Sequence, residues 1–290
     1  MAFSAKDVMA LKERTNAGMM ECKKALTEAD GNGDKAVELL REWGQVKGAT
    51  PKSSEMKEGL VAAKISEDGK LGVMIRLGCQ TDFVARNDMF LKLLSDLLDL
   101  AFRSNITTAA ELHALPYPDN SGRTVDNAIK ELIGGAIKEN MQVTGLARFS
   151  TTDGLIGKYI HHNGKVGAMV QIDGAVGDAV KNLIGDISMH VTAGMPQVAI
   201  SVSRDQVPAD VMAREQAAAA EGVDQKKPPQ IIEKIISGKL DKVLGEIVLL
   251  EQPFIKEEKQ KIKDLVAAAS KATGAPLTVA RFARLKVGEA

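Results

Sequence analysis

Asp68-Gly69-Lys70-Leu71-Gly72-Val73-Met74-Ile75-Arg76-Leu77 has a near copy 95 residues further on, Asn163-Gly164-Lys165-Val166-Gly167-Ala168-Met169-Val170-Gln171-Ile172. Both copies open on Asp-Gly or Asn-Gly, dipeptides that accept the positive φ angles of a type I′ turn. Each follows a β-prone run, Leu60 to Ile65 in the first case and Tyr159 to His161 in the second. In the first copy Val73, Ile75 and Leu77 alternate with Met74 and Arg76, the period-two pattern of a half-buried strand. A helix follows, with Asp88, Lys92, Ser95, Asp96, Asp99 and Arg103 on one face and Phe90, Leu91, Leu94, Leu97, Leu98 and Ala101 on the other. Each copy is therefore expected to be a β-hairpin followed by a helix.

A second pair of matching segments, Leu146-Ala147-Arg148-Phe149 and Val279-Ala280-Arg281-Phe282, is separated by 133 residues. Each follows a helical pattern, Val125 to Lys138 and Lys256 to Lys271. The order hairpin, helix, helix, strand thus occurs twice, and the second copy holds 38 extra residues between its matching ends. From Pro208 the chain is rich in alanine and charge, breaks at Lys227-Pro228-Pro229, and resumes with Ile231, Ile232, Ile235, Ile236, Leu240, Val243 and Leu244. Two helices around a proline turn, each with one apolar stripe, predict an antiparallel helical hairpin, a coiled-coil arm over about residues 205–245.

Ahead of the repeats, Ser4 can cap a helix carrying Val8 and Leu11, Glu21 to Glu28 forms a second, and Asp34 to Trp43 a third with Val37, Leu40 and Trp43 facing inward. Linker composition follows at Lys47 to Ser54. The expected fold is α+β: a three-helix module over 1–46, a linker over 47–58, a first core subdomain over 59–150 and a second over 151–290, both built on antiparallel strands.

Thirty-eight basic residues balance thirty-eight acidic ones, so the chain lacks the basic surplus of a nucleic-acid binder. No apolar run is long enough to span a bilayer, and the N-terminus leads directly into an amphipathic pattern, which predicts a cytoplasmic protein with no membrane partner. Cys22 and Cys79 are too few for a disulfide framework or a zinc site. Gly31-Asn32-Gly33-Asp34 follows a helix, not the strand that a dinucleotide loop requires. Calcium-loop spacing at Asp30, Asn32 and Asp34 fails at Lys35 and Arg41. His161 and His162 are adjacent, so in a strand they point to opposite faces, one buried and one exposed. No nucleophile elbow is present. An enzyme is not expected, nor a cofactor or metal.

The connection from strand to helix differs between the copies: about eleven residues, Gly78 to Asp88, against about six, Asp173 to Asp178. The longer one contains Gln80-Thr81-Asp82-Phe83-Val84-Ala85-Arg86-Asn87, with a phenylalanine beside a carboxylate where ordinary turn residues would suffice. Thr81 to Asn87 closely resembles the signature of the bacterial elongation factor Ts family, guanine-nucleotide exchange factors for elongation factor Tu. Thr15 to Leu26 resembles the family's N-terminal module, and His162 to Gly167 and Gln252-Pro253-Phe254 resemble its later landmarks, in the same order. The resemblance implies a ubiquitin-associated type of N-terminal module, two core subdomains and the arm. It implies that Asp82 and Phe83 enter the partner's G domain and disturb the neighbourhood of the bound magnesium and phosphates, that Thr81 belongs to the same contact, and that elongation factor Tu is bound both with GDP and without nucleotide. Met19 and Met20 match the module's contact pair, and His162 a contact in the second subdomain. Ile137, before Glu139-Asn140, and Ile255, after Phe254, match apolar contacts. The chain departs from the family at Asn16, where a glycine is usual, and it stops at Ala290 without the C-terminal helical module of some members. Two rival readings are an adaptor that forms a homodimer through the arm and a small hydrolase using His162.

Overall fold

The computed structural model describes residues 3–15, 17–46, 56–223 and 228–289. Three helices open it, α1 (Ala5–Thr15), α2 (Met19–Glu28) and α3 (Gly33–Val46). Ser4 and Asp7 cap α1 reciprocally: Asp7 accepts from the Ser4 N–H at 2.7 Å and Ser4 Oγ from the Asp7 N–H at 3.4 Å. Asn32 caps α3 through bonds to the N–H groups of Asp34 and Lys35, which gives the rejected glycine-rich segment an ordinary structural role. Val8, Leu11, Cys22, Ala25, Leu26, Ala29 and Ala36 form the module's core, with Trp43 against it. Asn16 and most of the expected linker, 47–55, lie outside the described residues.

The first repeat follows: β1 (Glu58–Ile65), β2 (Leu71–Cys79), a one-turn helix α4 (Asp82–Ala85), α5 (Asp88–Arg103), α6 (Ala109–Ala114), α7 (Val125–Leu132) continued by a π-helical turn at Ile133–Ile137, and β3 (Met141–Ser150). The second comprises β4 (Gly154–Ile160), β5 (Val166–Asp173), α8 (Asp178–Ala193), α9 (Ala209–Ala220), α10 (Pro229–Ile247), β6 (Pro253–Phe254), β7 (Glu257–Lys261), α11 (Ile262–Thr273) and β8 (Thr278–Lys286). Strand order is β1-β2-β3 in one sheet and β4-β5-β8 in the other. In each, the hairpin's second strand is central and the last strand pairs with it.

The repeat is accurate to the hydrogen bond. Ser66 N–H donates to Leu71 O and His161 N–H to Val166 O, while Gly69 and Gly164 return to Ser66 and His161. Both glycines sit at φ +70°, but Asp68 and Asn163 do not have positive φ, so each turn is a tight turn followed by one left-handed glycine and not the expected type I′. The helices α5 and α8 both run for 16 residues from an aspartate. Their buried apolar positions match one for one, Phe90, Leu93, Leu94, Leu97 and Ala101 against Val180, Leu183, Ile184, Ile187 and Val191, while α8 also buries Ser188, His190 and Thr192.

Three expectations change. Leu93 faces the core in place of Leu91, which is exposed, because the inward stripe continues from Phe90 at the +3 and +4 positions. The strand β2 is buried on both faces, and Arg76 is tolerated there by donating to Thr144 Oγ1 at 2.7 Å and to Thr144 O at 3.0 Å. Glu257 to Lys261 is a strand paired with Pro253-Phe254 and not the start of a helix, since the first inward-facing residue of α11 is Ile262.

Helices α9 and α10 pack together at their base, where Val207, Leu244, Ile247 and Val248 are buried with Val211, Met212, Leu240 and Val243 against them. Residues 224–227, before the proline pair, are outside the described set. Two compact units emerge from the contacts: residues 1–60, 75–146 and 287–290 in one, and 61–74 and 147–286 in the other. The hairpin tip 61–74, contiguous in sequence with the first repeat, thus clusters with the second unit. Lys70 Nζ donates to Gly154 O at 2.6 Å and Ile156 N–H to Gly69 O at 2.8 Å.

Candidate partner-binding site

Residues 80–87 join β2 to α5, and two caps placed back to back give them their shape. Thr81, extended at φ −124° and ψ 156°, accepts the Val84 N–H on its hydroxyl and starts α4. Asn87 then accepts the Met89 N–H at 2.8 Å and starts α5. The surplus residues are thus one helical turn and not an open loop. Within that turn the small residues Val84 and Ala85 are buried, whereas Phe83 is 83% exposed. Asp82 pairs with Arg86 at 3.1 Å across one turn.

The turn is tied to the segment leading into β3. Thr81 N–H donates to Glu139 Oε2 at 3.2 Å, and its hydroxyl lies 3.0 and 2.9 Å from the two carboxylate oxygens. Asn140 N–H donates to Gln80 Oε1 at 3.2 Å. From the strand side, Cys79 Sγ–H donates to Thr81 O at 3.2 Å. Burial, with Glu139 and Glu58 nearby, pushes the Cys79 thiol up to about 12, so it stays protonated and unreactive at neutral pH.

Ile137 closes the π-helical turn. The next residue, Lys138, is left-handed at φ 58° and returns its N–H to Ile133 O at 3.0 Å. Half-buried Ile137 stands two residues before Glu139, the residue that holds Thr81.

The other candidates sit on elements of their own. Met19 and Met20 are the first residues of α2 and are 55% and 77% exposed, while Cys22, Ala25 and Leu26 of that helix face the module core. His162 is exposed in the β4–β5 turn. β4 ends at Ile160, so His161 and His162 are not strand neighbours on opposite faces. Their rings lie 4.2 Å apart, and His161 is half-buried with Nδ1 3.4 Å from Tyr159 Oη. Ile255 is half-buried and packs against the core of the second unit beside Phe254.

Gln252, the first residue of the Gln-Pro-Phe landmark, is a structural clamp: its side chain donates to Gln197 O at 2.8 Å and Glu246 O at 2.5 Å, and His190 Nε2 lies 2.8 Å from its Oε1. Burial holds the His190 pKa below the ordinary histidine value.

Neither Glu139 nor Gln80, though both lie in segments the sequence marks, could be given its role there, because their bonds to Thr81 and Asn140 span 58 and 60 residues and no local spacing announces them. The Asp82–Arg86 pair, at i and i+4, was within reach of sequence reasoning. A cavity of about 490 Å³ beside α5 is lined by Lys92, Asp96, Tyr117, Arg123 and Glu131 among others. Its charges are already paired, Lys92 and Tyr117 each at 2.6 Å from Asp96, and Arg123 with Asp119 and Glu131. Among the described residues no group of three or more histidine, cysteine or acidic side chains could hold a metal ion, and no helix is long and apolar enough to cross a membrane.

The family model described as elongation factor TS matches residues 80–289, from the signature link to the end of the described chain. Elongation factor Ts of Alkalilimnicola ehrlichii is 40% identical over 290 residues, covering 100% of this chain and 93% of that protein. Elongation factor Ts of Aquifex aeolicus is 39% identical over 295 residues, covering 99% of each. That of Trichlorobacter lovleyi is 36% identical over 295 residues, covering 100% of this chain and 94% of the relative. With a helical turn that offers a phenylalanine to solvent, a twofold hairpin repeat and full-length similarity of this kind, the chain belongs to the elongation factor Ts family of translation elongation factors.

Proposed function

We propose that the chain releases GDP from elongation factor Tu by inserting Asp82 and Phe83 near the magnesium and phosphate site, after which GTP rebinds. The observation that carries this reading is the 83% exposure of Phe83 on a turn stapled at both ends. A phenylalanine ring left in water forgoes about 1.5–3 kcal/mol of burial, and a partner pocket that takes it recovers that amount. Exposed Met19 and Met20 suit a surface that must follow a moving partner, since methionine adapts its shape at low cost. His162 and Ile255 complete the contact from the second unit, and Ile137 from the first. In this reading the three-helix unit at 1–46 is a ubiquitin-associated type of module, 59–150 and 151–290 are the core subdomains, α9 and α10 form a coiled-coil arm, and the protein works in the cytoplasm.

No covalent chemistry is required. Nucleotide and exchange factor compete through one conformational equilibrium, so the factor weakens GDP binding by the same free energy by which GDP weakens binding of the factor. Release of a fluorescent GDP from elongation factor Tu tests the proposal: catalytic amounts of this chain should quicken dissociation, and an unchanged rate would refute it.

A second reading, a homodimer through the arm, draws on Ile231, which is 45% exposed on α10, with Ile232, Ile235 and Ile236 half-buried beside it. Deleting residues 208–240 and measuring mass in solution separates it from the first. A dimer that becomes a monomer supports it.

A further inference from the structure

We propose that Glu139 is a positioning residue for Phe83: its carboxylate, bound to Thr81, fixes the direction in which the one-turn helix presents the ring, and this sets the maximal rate of nucleotide release more than affinity for the partner. The proposal rests on the exchange reading above.

A four-residue helix cannot hold itself, because nucleation costs more than its few internal bonds return. Phe83 has no packing of its own to contribute. Beyond the packing of buried Val84 and Ala85, what orients the turn must come from outside it, and the structure supplies one charged group. A carboxylate only accepts hydrogen bonds, so the Thr81 hydroxyl, 2.9 and 3.0 Å from the Glu139 oxygens, must donate its single proton to Glu139. Its lone pairs are then left for the Val84 N–H, 3.4 Å away. Glu139 thereby decides which way the cap faces. The same carboxylate takes the Thr81 backbone N–H, so both donors of residue 81 end on one group, and hydrogen bonds to an ionised acceptor are the stronger kind. Asn140 holds Gln80 in the same fashion.

The second repeat serves as an internal control. There the shorter link lies with its backbone directly on the helix-to-strand connection: a Cβ on Gly174 would meet Pro276 O at 2.0 Å. Contact of that closeness leaves nothing to adjust. In the first repeat the link instead carries a helical turn, and a carboxylate bridges it to the equivalent connection before β3.

The test measures release of fluorescent GDP from elongation factor Tu over a concentration series of the full-length chain, which separates the maximal rate from half-saturation. Glu139→Ala should lower the maximal rate by about tenfold and move half-saturation by less than about threefold. Glu139→Gln keeps a carbonyl acceptor for the hydroxyl and should restore the rate to within about threefold of wild type. Thr81→Ser, which keeps the donor hydroxyl, should hold the maximal rate within about threefold of wild type, and Thr81→Val should behave as Glu139→Ala. In a Phe83→Ala background, Glu139→Ala should cost less than about twofold more, since the two residues act as one device.

An unchanged maximal rate, a change confined to half-saturation, or a full additional loss in the Phe83→Ala background overturns the proposal. If Glu139→Ala lowers the unfolding midpoint, the contrast between Thr81→Ser and Thr81→Val, made without touching Glu139, decides in its place. A wild-type chain that fails to quicken release overturns the exchange reading and the positioning role together. An active wild type with an indifferent Glu139→Ala overturns the positioning role alone.

Discussion

The links Gln80–Asn87 and Gly174–Gly177 join equivalent strands to equivalent helices, yet they solve the connection in opposite ways. The second is short and glycine-bounded, and its first residue, Gly174, is pressed against Pro276 of its own unit. The first is twice as long, contains no residue with positive φ, and spends its extra length on a helical turn that buries two small side chains and exposes a large one. The same scaffold tolerates both, so the form of the first is not a requirement of folding. The complementary elaboration lies further along. His190 in α8 stands where α5 has Leu100, and it is anchored on Gln252, which also grips the last turn of α10. One repeat is modified at its link, the other at the root of its helical pair.

The largest effect expected from this contrast concerns stability in the second link. Gly174 has φ +109°, and an added Cβ would sit 2.0 Å from a backbone carbonyl. Strain and overpacking together should make Gly174→Ala cost about 4 kcal/mol in denaturant unfolding. Alanine at Asp82 or Arg86 should stay within about 0.5 kcal/mol, because those side chains touch little and their backbone is ordinary helix. Equal losses at both links would erase the distinction between a link packed into the fold and one that is not.

Phe83→Ala reverses the pattern. The exposed ring adds nothing to the folded chain, so unfolding should change by less than about 0.5 kcal/mol. Maximal GDP release from elongation factor Tu should fall by about a hundredfold, the loss typical of a strong interface anchor of about 3 kcal/mol. Val176, the exposed apolar residue of the second link, is the matched control, and Val176→Ala should alter release by less than about twofold.

Legibility in the sequence follows how local each feature is. The repeat, the two hairpins, the 16-residue helices and the paired helices around the prolines could be read because each is announced by residues within a few positions of one another. Turn type could not: Asp-Gly suits both a type I′ turn and a turn closed by a left-handed glycine, and the hydrogen bonds to Ser66 and His161 decide between them. Arg76 suggested a half-exposed strand because its partner, Thr144, is 68 residues away. Phe83 was legible as an anomaly in composition. The carboxylate that orients its turn was not, since Glu139 acquires that role only when β3 lies beside β2.

At the root of the helical pair, acid should expose the buried histidine. Burial keeps the His190 pKa in the folded chain below its unfolded value, so unfolded chains take up the proton first. The stability His190 contributes is complete above about pH 6.5 and is lost as pH falls from there towards the folded pKa. Urea unfolding followed from pH 7 to 5.5 should show stability falling with acid, a decline that flattens in His190→Gln. A decline of the same size in that variant would place the titration elsewhere.

The smallest effect separates the two residues at opposite ends of the signature turn. Asp82 and Arg86 pair at 3.1 Å with side chains 44% and 81% exposed, and such a pair contributes about 0.3–0.5 kcal/mol at most. Arg86→Ala should therefore leave unfolding unchanged, and raising salt to 0.5 M should mimic it, because screening removes the same attraction. If Asp82 enters the partner as a carboxylate, it must first leave Arg86. Freeing it in advance should then hold release at the wild-type rate or raise it by up to about twofold. A fall in release with Arg86→Ala would mean that the pair enters together, and that the first link presents a phenylalanine beside an ion pair and not beside a free acid.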